Sequence, residues 1–237
     1  TIIEDLASHG FFVVSVDLPE IGYVKYKDGF EIQSSQRLAP PEDLMAGPYE
    51  KVDAFYSEAT FLGYNDLQFL TKKLNEINEK GRFKNKIDLN KIGVFGHSLG
   101  GRIAGYFTSQ NSSVKAYASM EGIPPRKVRY EGQINVPTLM LCSKETWFYA
   151  KENYYSFLRN CKEEAYMVQL VDFGHNSLTE GPYLFSKSFK YAIDPIRALE
   201  LGRELLLNFF NIQLNDEEIN FEILLHSDVH YKFEKFP

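Results

Sequence analysis

The chain has 237 residues, 44% of them hydrophobic and 24% charged, values of a soluble globular domain with room for one sizeable core and not for a second full domain. Its net charge of −6 argues against a nucleic-acid partner, which would want a basic face, and suits neutral or cationic substrates at least as well as anionic ones. Two cysteines, Cys142 and Cys161, make no disulfide framework and are expected as free thiols, so the redox compartment stays open. No run of about eighteen apolar residues predicts a membrane-spanning helix. Residues 1–8 lack the basic and apolar regions of a signal peptide. A secretory signal upstream of Thr1 is compatible with this start, so the compartment is open, as is the oligomeric state.

Residues 1–10 read as the end of a helix closed by Gly10. Phe11–Asp17 is a short, continuous apolar run, the pattern of a strand covered on both faces. Residues 18–48, with several Gly and Pro and no period, predict a long loop. Residues 50–80 place Phe61, Leu62, Leu67, Phe69, Leu70, Leu74 and Ile77 at helical spacing, with a break near Gly63 and an end at Gly81. Strands are expected at Lys91–Phe95, Val114–Ser119, Pro137–Cys142 and Tyr166–Val171, alternating with helices at Arg102–Ser109, Trp147–Asn160 and Pro195–Phe210. That alternation predicts an α/β fold with a doubly wound, mostly parallel sheet. Residues 212–237 form a polar, acidic-then-aromatic tail with no predicted structure.

Gly96-His97-Ser98-Leu99-Gly100 matches G-x-S-x-G between an apolar strand and a small-residue helix. In that context the serine sits on a sharp turn as a nucleophile, Gly96 and Gly100 clear the space where strand and helix nearly touch, and the Leu99 N–H becomes an oxyanion donor. The bland alternative is a glycine-rich turn with a surface serine, and the flanking strand and helix count against it.

The general base must follow the nucleophile on the loop after a late core strand. Of five histidines, His175 in Val171-Asp-Phe-Gly-His-Asn-Ser177 has that setting. His97 should point away from the serine hydroxyl and pack under the turn. His9 reads as a cap or surface residue, and His226 and His230 as exposed tail residues. Two carboxylates compete to orient the imidazole: Glu121, in Ala118-Ser-Met-Glu-Gly122, and Glu145, in Leu141-Cys-Ser-Lys-Glu145. Local pattern leaves them nearly even, and either could be an ordinary solvated loop residue. Asp172, three residues before His175 on the same strand end, is poorly placed to fold back onto it.

Several segments resemble a known family. Leu89–Gly101, the helix Gly63–Leu74, the segment Leu6–Asp17 and Ile193–Glu200 are similar to the corresponding parts of platelet-activating-factor acetylhydrolase-like and dienelactone-hydrolase-like esterases of the α/β-hydrolase superfamily. The resemblance implies the α/β-hydrolase fold and a serine esterase. It implies an acid after the strand that follows the nucleophile helix, which falls on Glu121-Gly122 and favours Glu121, with Glu in place of the usual Asp. Glu145 is the fallback, at the position most other members of the superfamily use. The family also carries a strand and a His-Gly-type loop before the first helix, with the second oxyanion N–H; this sequence starts after that point, so the N-terminal strands are expected to be missing from it.

The implied chemistry is two-step acyl transfer: Ser98 attacks an ester carbonyl, His175 moves its proton, Glu121 orients His175 and the Leu99 N–H holds the oxyanion. No metal or organic cofactor is required, and the His and Cys spacing offers no zinc site. The resemblance suggests short-acyl or phospholipid-type esters; a small-molecule or lipid ester is the expected partner. Tyr23, Tyr26, Phe30, Trp147, Phe148 and Tyr149 are candidates to line a pocket, although most aromatics should be core. An amidase or peptidase on the same fold, and a hydrolase-fold protein that binds without turnover, are the competing readings.

Overall fold

The computed structural model describes residues 1–132, 134–218 and 229–236. Their contacts gather into two compact units where the sequence suggests one domain: residues 1–13 with 89–237, and residues 14–88.

The larger unit opens with helix α1 (Ile2–Ser8), started by a capping box in which the Thr1 side chain accepts from the Glu4 amide. The apolar run 11–17 does not become a strand. A strand needs a second backbone to take its amides and carbonyls, and no ladder to this run forms among the described residues. Phe11 and Val13 instead pack their side chains against the core.

In the smaller unit, the expected loop contains a hairpin of β1 (Val24–Lys25) and β2 (Glu31–Ile32), paired antiparallel. Gly29 turns it with φ +87°. Helices α2 (Tyr49–Phe55) and α3 (Ser57–Glu79) follow. The break falls at Tyr56 and not at Gly63, which lies buried inside α3. A glycine weakens a helix by about 1 kcal/mol without having to end it.

The rest of the larger unit is the alternating βα pattern. Strand β3 (Ile92–His97) leads into α4 (Leu99–Gln110), β4 (Val114–Met120), α5 (Arg126–Glu131), β5 (Thr138–Ser143), α6 (Lys144–Leu158) and β6 (Ala165–Leu170). A short α7 (Gly181–Leu184), α8 (Pro195–Asn215) and β7 (Tyr231–Phe236) complete it. The sheet order is β3-β4-β5-β6-β7, parallel up to β6, with β7 antiparallel at the edge. Within the tail 212–237, which the sequence predicts without structure, residues 212–215 finish α8 and 231–236 form β7. Its charged, aromatic composition suits an edge strand, where lysines discourage further pairing. Lys235 pairs with Glu164 at 2.6 Å and Phe233 stacks on Tyr166.

Helices cover both faces of this sheet. Ala116, Ala118 and Met120 of β4 point into a cluster with Ile2 and Leu6 of α1 and Leu201, Leu205 and Phe209 of α8. The alternate residue Tyr117 points the other way, its hydroxyl donating to the Gly101 carbonyl at 2.7 Å and its ring meeting Phe157 of α6. Two-sided burial explains the near-continuous apolar strands. Phe209 is wholly buried. Phe209→Ala should therefore cost about 3–5 kcal/mol in denaturant unfolding; a loss under about 1 kcal/mol would show that α8 does not seat as described.

Candidate active site

The site is assembled at the carboxyl ends of β3, β4, β5 and β6, the edge where open α/β sheets place their ligands. Ser98 stands between β3 and α4 with φ +54° and ψ −121°, a conformation that costs a non-glycine residue about 1–3 kcal/mol. Surrounding packing holds it there. The Ser98 amide donates to the Met120 carbonyl at 2.8 Å, and the Arg102 amide donates to the Ser98 carbonyl at 3.1 Å.

Backbones approach so closely here that side chains have no room. A Cβ on Gly96 would lie 2.3 Å from the Gly100 carbonyl carbon, and one on Gly122 would lie 2.3 Å from the Ser98 carbonyl oxygen. Gly101 is closed in the same way by Ser119, whereas a Cβ on Gly100 would meet nothing within 4 Å. The motif predicts the close approach at Gly96 and Gly100. The structure keeps Gly96 and moves the second role to Gly101 and Gly122, because the first turn of α4 leans on the end of β4.

His175 lies on the loop after β6, and its Nε2 is 2.9 Å from Ser98 Oγ. His97 points away from the hydroxyl, as its position predicts. Its Nε2–H donates to the His175 carbonyl at 2.7 Å, and burial holds its imidazole below the ordinary value. The ring is thus a strut under His175.

The two candidate acids do different things. Glu121 is 4% exposed and follows β4 at φ +64°. Its Oε1 accepts from the Ser143 amide, and its Oε2 from the Ser143 hydroxyl at 2.9 Å and from the Thr146 hydroxyl. Oε2 lies 3.5 Å from His175 Nδ1. Glu145 does not reach the imidazole in this way: its Oε2 accepts the His175 backbone amide at 2.8 Å. It holds the loop, while Glu121 faces the ring.

The other expectations resolve simply. Asp172 pairs with His230 at 2.8 Å, and His230 is exposed. His9 caps α1 and His226 lies outside the described residues. Leu99 is the first residue of α4, so its amide has no acceptor within the helix. Cys142 and Cys161 are free and buried; burial, then the charge of Glu121, pushes the Cys142 thiol well up, away from nucleophile behaviour. Trp147 stacks on Tyr154 and meets Tyr155 edge-on, while Phe148 is 91% exposed. Tyr23, Tyr26 and Phe30 are exposed in the smaller unit. Among the described residues no group of three or more His, Cys, Asp or Glu could hold a metal ion, and no helix is long and apolar enough to cross a membrane.

Sequence reasoning missed Ser143 and Thr146. A serine opening a helix is a visible N-cap signal, and Ser143 does cap α6 by accepting the Thr146 amide. Nothing in the local pattern marks Thr146.

Residues 1–176, which include Ser98, Glu121, Glu145 and His175, match the model of the dienelactone hydrolase family. The chain belongs to the dienelactone hydrolase family. No curated protein matches it. Its fold is similar to that of a ferulic acid esterase from Streptomyces cinnamoneus, at 20% identity and a TM-score of 0.76 over 97% of this chain and 68% of that one. The likeness shows the α/β-hydrolase fold, and membership of the family supports a carboxylic ester hydrolase in general.

The close approach under Ser98 carries a stability prediction. Gly122→Ala should destabilise the fold by about 1–3 kcal/mol, whereas Gly100→Ala should be neutral or stabilising by up to about 1 kcal/mol. Equal effects in thermal or denaturant unfolding would contradict the described packing.

Proposed function

We propose that this family member is a serine esterase that cleaves carboxylic esters through an acyl-enzyme on Ser98, with short-acyl or phospholipid-type esters as the substrate class. The observation that carries the reading is the 2.9 Å contact between Ser98 Oγ and His175 Nε2, on a base whose far side faces a buried carboxylate. A nucleophile within hydrogen-bond reach of a base that has a buried carboxylate on its far side is the geometric signature of acyl transfer.

The steps follow from the atoms. His175 Nε2 takes the Ser98 proton as Oγ bonds to the ester carbonyl carbon. The carbonyl oxygen becomes an oxyanion, and the Leu99 amide at the head of α4 donates to it, aided by the positive end of the helix dipole. The imidazolium is stabilised from the Glu121 side. The bond to the alcohol oxygen then breaks, and His175 returns its proton to that oxygen. Water repeats the sequence: His175 takes its proton, the hydroxide oxygen bonds to the acyl carbon, and the Ser98–acyl bond breaks as Oγ recovers the proton. No step needs a metal or an organic cofactor.

The acid is Glu121 in this reading. Its buried carboxylate is already held by three donors, so little reorganisation is needed when charge develops on the ring. Glu145, engaged with the His175 amide, positions the loop.

Turnover of p-nitrophenyl acetate, longer-acyl esters and a feruloyl ester by the wild type, beside a matched amide, tests the assignment. Ser98→Ala should lose on the order of 10⁴-fold or more in kcat, Glu121→Gln a comparable factor, and Glu145→Gln far less. Damage centred on Glu145→Gln would move the acid to the other carboxylate. Amide turnover equal to ester turnover would overturn the esterase assignment.

A further inference from the structure

In the arrangement just proposed, the carboxylate and the imidazole do not meet at hydrogen-bonding distance. Glu121 Oε2 is 3.5 Å from His175 Nδ1, beyond the range of about 2.7–3.2 Å in which an N–H donates effectively to oxygen. Thr146 Oγ1 lies between them. It is 3.2 Å from Nδ1 and hydrogen-bonds Glu121 Oε2.

The donors can be counted one by one. A carboxylate oxygen only accepts and a hydroxyl has one hydrogen to give. The Ser143 hydroxyl gives its hydrogen to Glu121 Oε2 and accepts the Thr146 amide at 3.2 Å. The Thr146 hydroxyl gives its hydrogen to Oε2, which leaves its own lone pairs for the hydrogen on Nδ1. With that hydrogen on Nδ1, Nε2 is bare and accepts from Ser98. One consistent direction therefore runs from Ser98 through His175 and Thr146 to Glu121. Thr146 and Glu121 are 1% and 4% exposed, so at that end of the chain water does not compete and the bond between them is strengthened.

We infer that Thr146 is a positioning residue of the esterase: its hydroxyl relays the orienting influence of Glu121 to Nδ1 of His175, fixing the tautomer that presents Nε2 to Ser98. The inference rests on the reading of Ser98, His175 and Glu121 given above.

Thr146→Val removes the hydroxyl and keeps the shape, and Thr146→Ser keeps the hydroxyl. Thermal unfolding establishes that each variant is folded. With p-nitrophenyl acetate, Thr146→Val should lower kcat on the order of ten- to a hundredfold, the worth of a hydrogen bond to a charged group, with KM nearly unchanged. Thr146→Ser should recover most of the loss. In a Glu121→Gln background, Thr146→Val should cost much less than in the wild type, because both act along one chain. A Thr146→Val enzyme with wild-type kcat would overturn the inference, as would a loss that Thr146→Ser does not repair or one that multiplies fully with Glu121→Gln. If Thr146→Val does not fold, Thr146→Ala is judged by the same three criteria. Ser98→Ala separates the two levels: if it retains turnover, the triad reading itself fails; if it is inactive while Thr146→Val keeps wild-type kcat, only the relay fails.

Discussion

The bond from the Ser98 amide to the Met120 carbonyl ties the nucleophile turn to the end of the neighbouring strand, and the rest of the site hangs from that contact. It requires β3, α4 and β4 to touch backbone to backbone, which Gly96, Gly101 and Gly122 make possible. The contact holds Ser98 in a conformation that an isolated chain would avoid. It also fixes the residue after Met120. That residue is Glu121, itself at positive φ, and the bend carries its carboxylate away from solvent toward the end of β5. Ser98 and Glu121 are thus positioned by one piece of packing, though they lie 23 positions apart in the chain.

Burying a carboxylate is costly unless donors surround it. The end of β5 and the start of α6 supply them through the Ser143 amide, the Ser143 hydroxyl and the Thr146 hydroxyl. The same short segment places Glu145 on the His175 amide, while His97 takes the His175 carbonyl from below. His175, its loop and Glu121 are therefore fixed by groups from every strand end around them. A preorganised arrangement of this kind is what electrostatic stabilisation of acyl transfer requires.

Much of this was legible in the sequence because the features that carry it are local. The nucleophile turn is written in consecutive residues, and the parallel strands read as apolar runs because helices bury both faces. The order of Ser98 before His175 follows from the fold once the turn is recognised. What failed was non-local. The run 11–17 looks like a strand and is not one, since pairing depends on a partner that composition does not name. Strand β7 hid in a charged tail because an edge strand needs little apolar surface. The choice between Glu121 and Glu145 turns on a bend of the backbone and on three donors from another strand, and Thr146 matters only because of where α6 begins. Family resemblance favoured Glu121 where local pattern left the two carboxylates even; in the structure Glu121 Oε2 lies 3.5 Å from His175 Nδ1, and Glu145 accepts the His175 amide.

The central claim is that Ser98 is a nucleophile activated by His175. Reaction of the folded protein with a fluorophosphonate, followed by peptide mass mapping, tests it directly. The account predicts a single phosphonyl adduct on the peptide carrying Ser98, with its formation strongly slowed by His175→Ala. An unmodified Ser98 in folded protein, or an adduct formed equally well without His175, would contradict it.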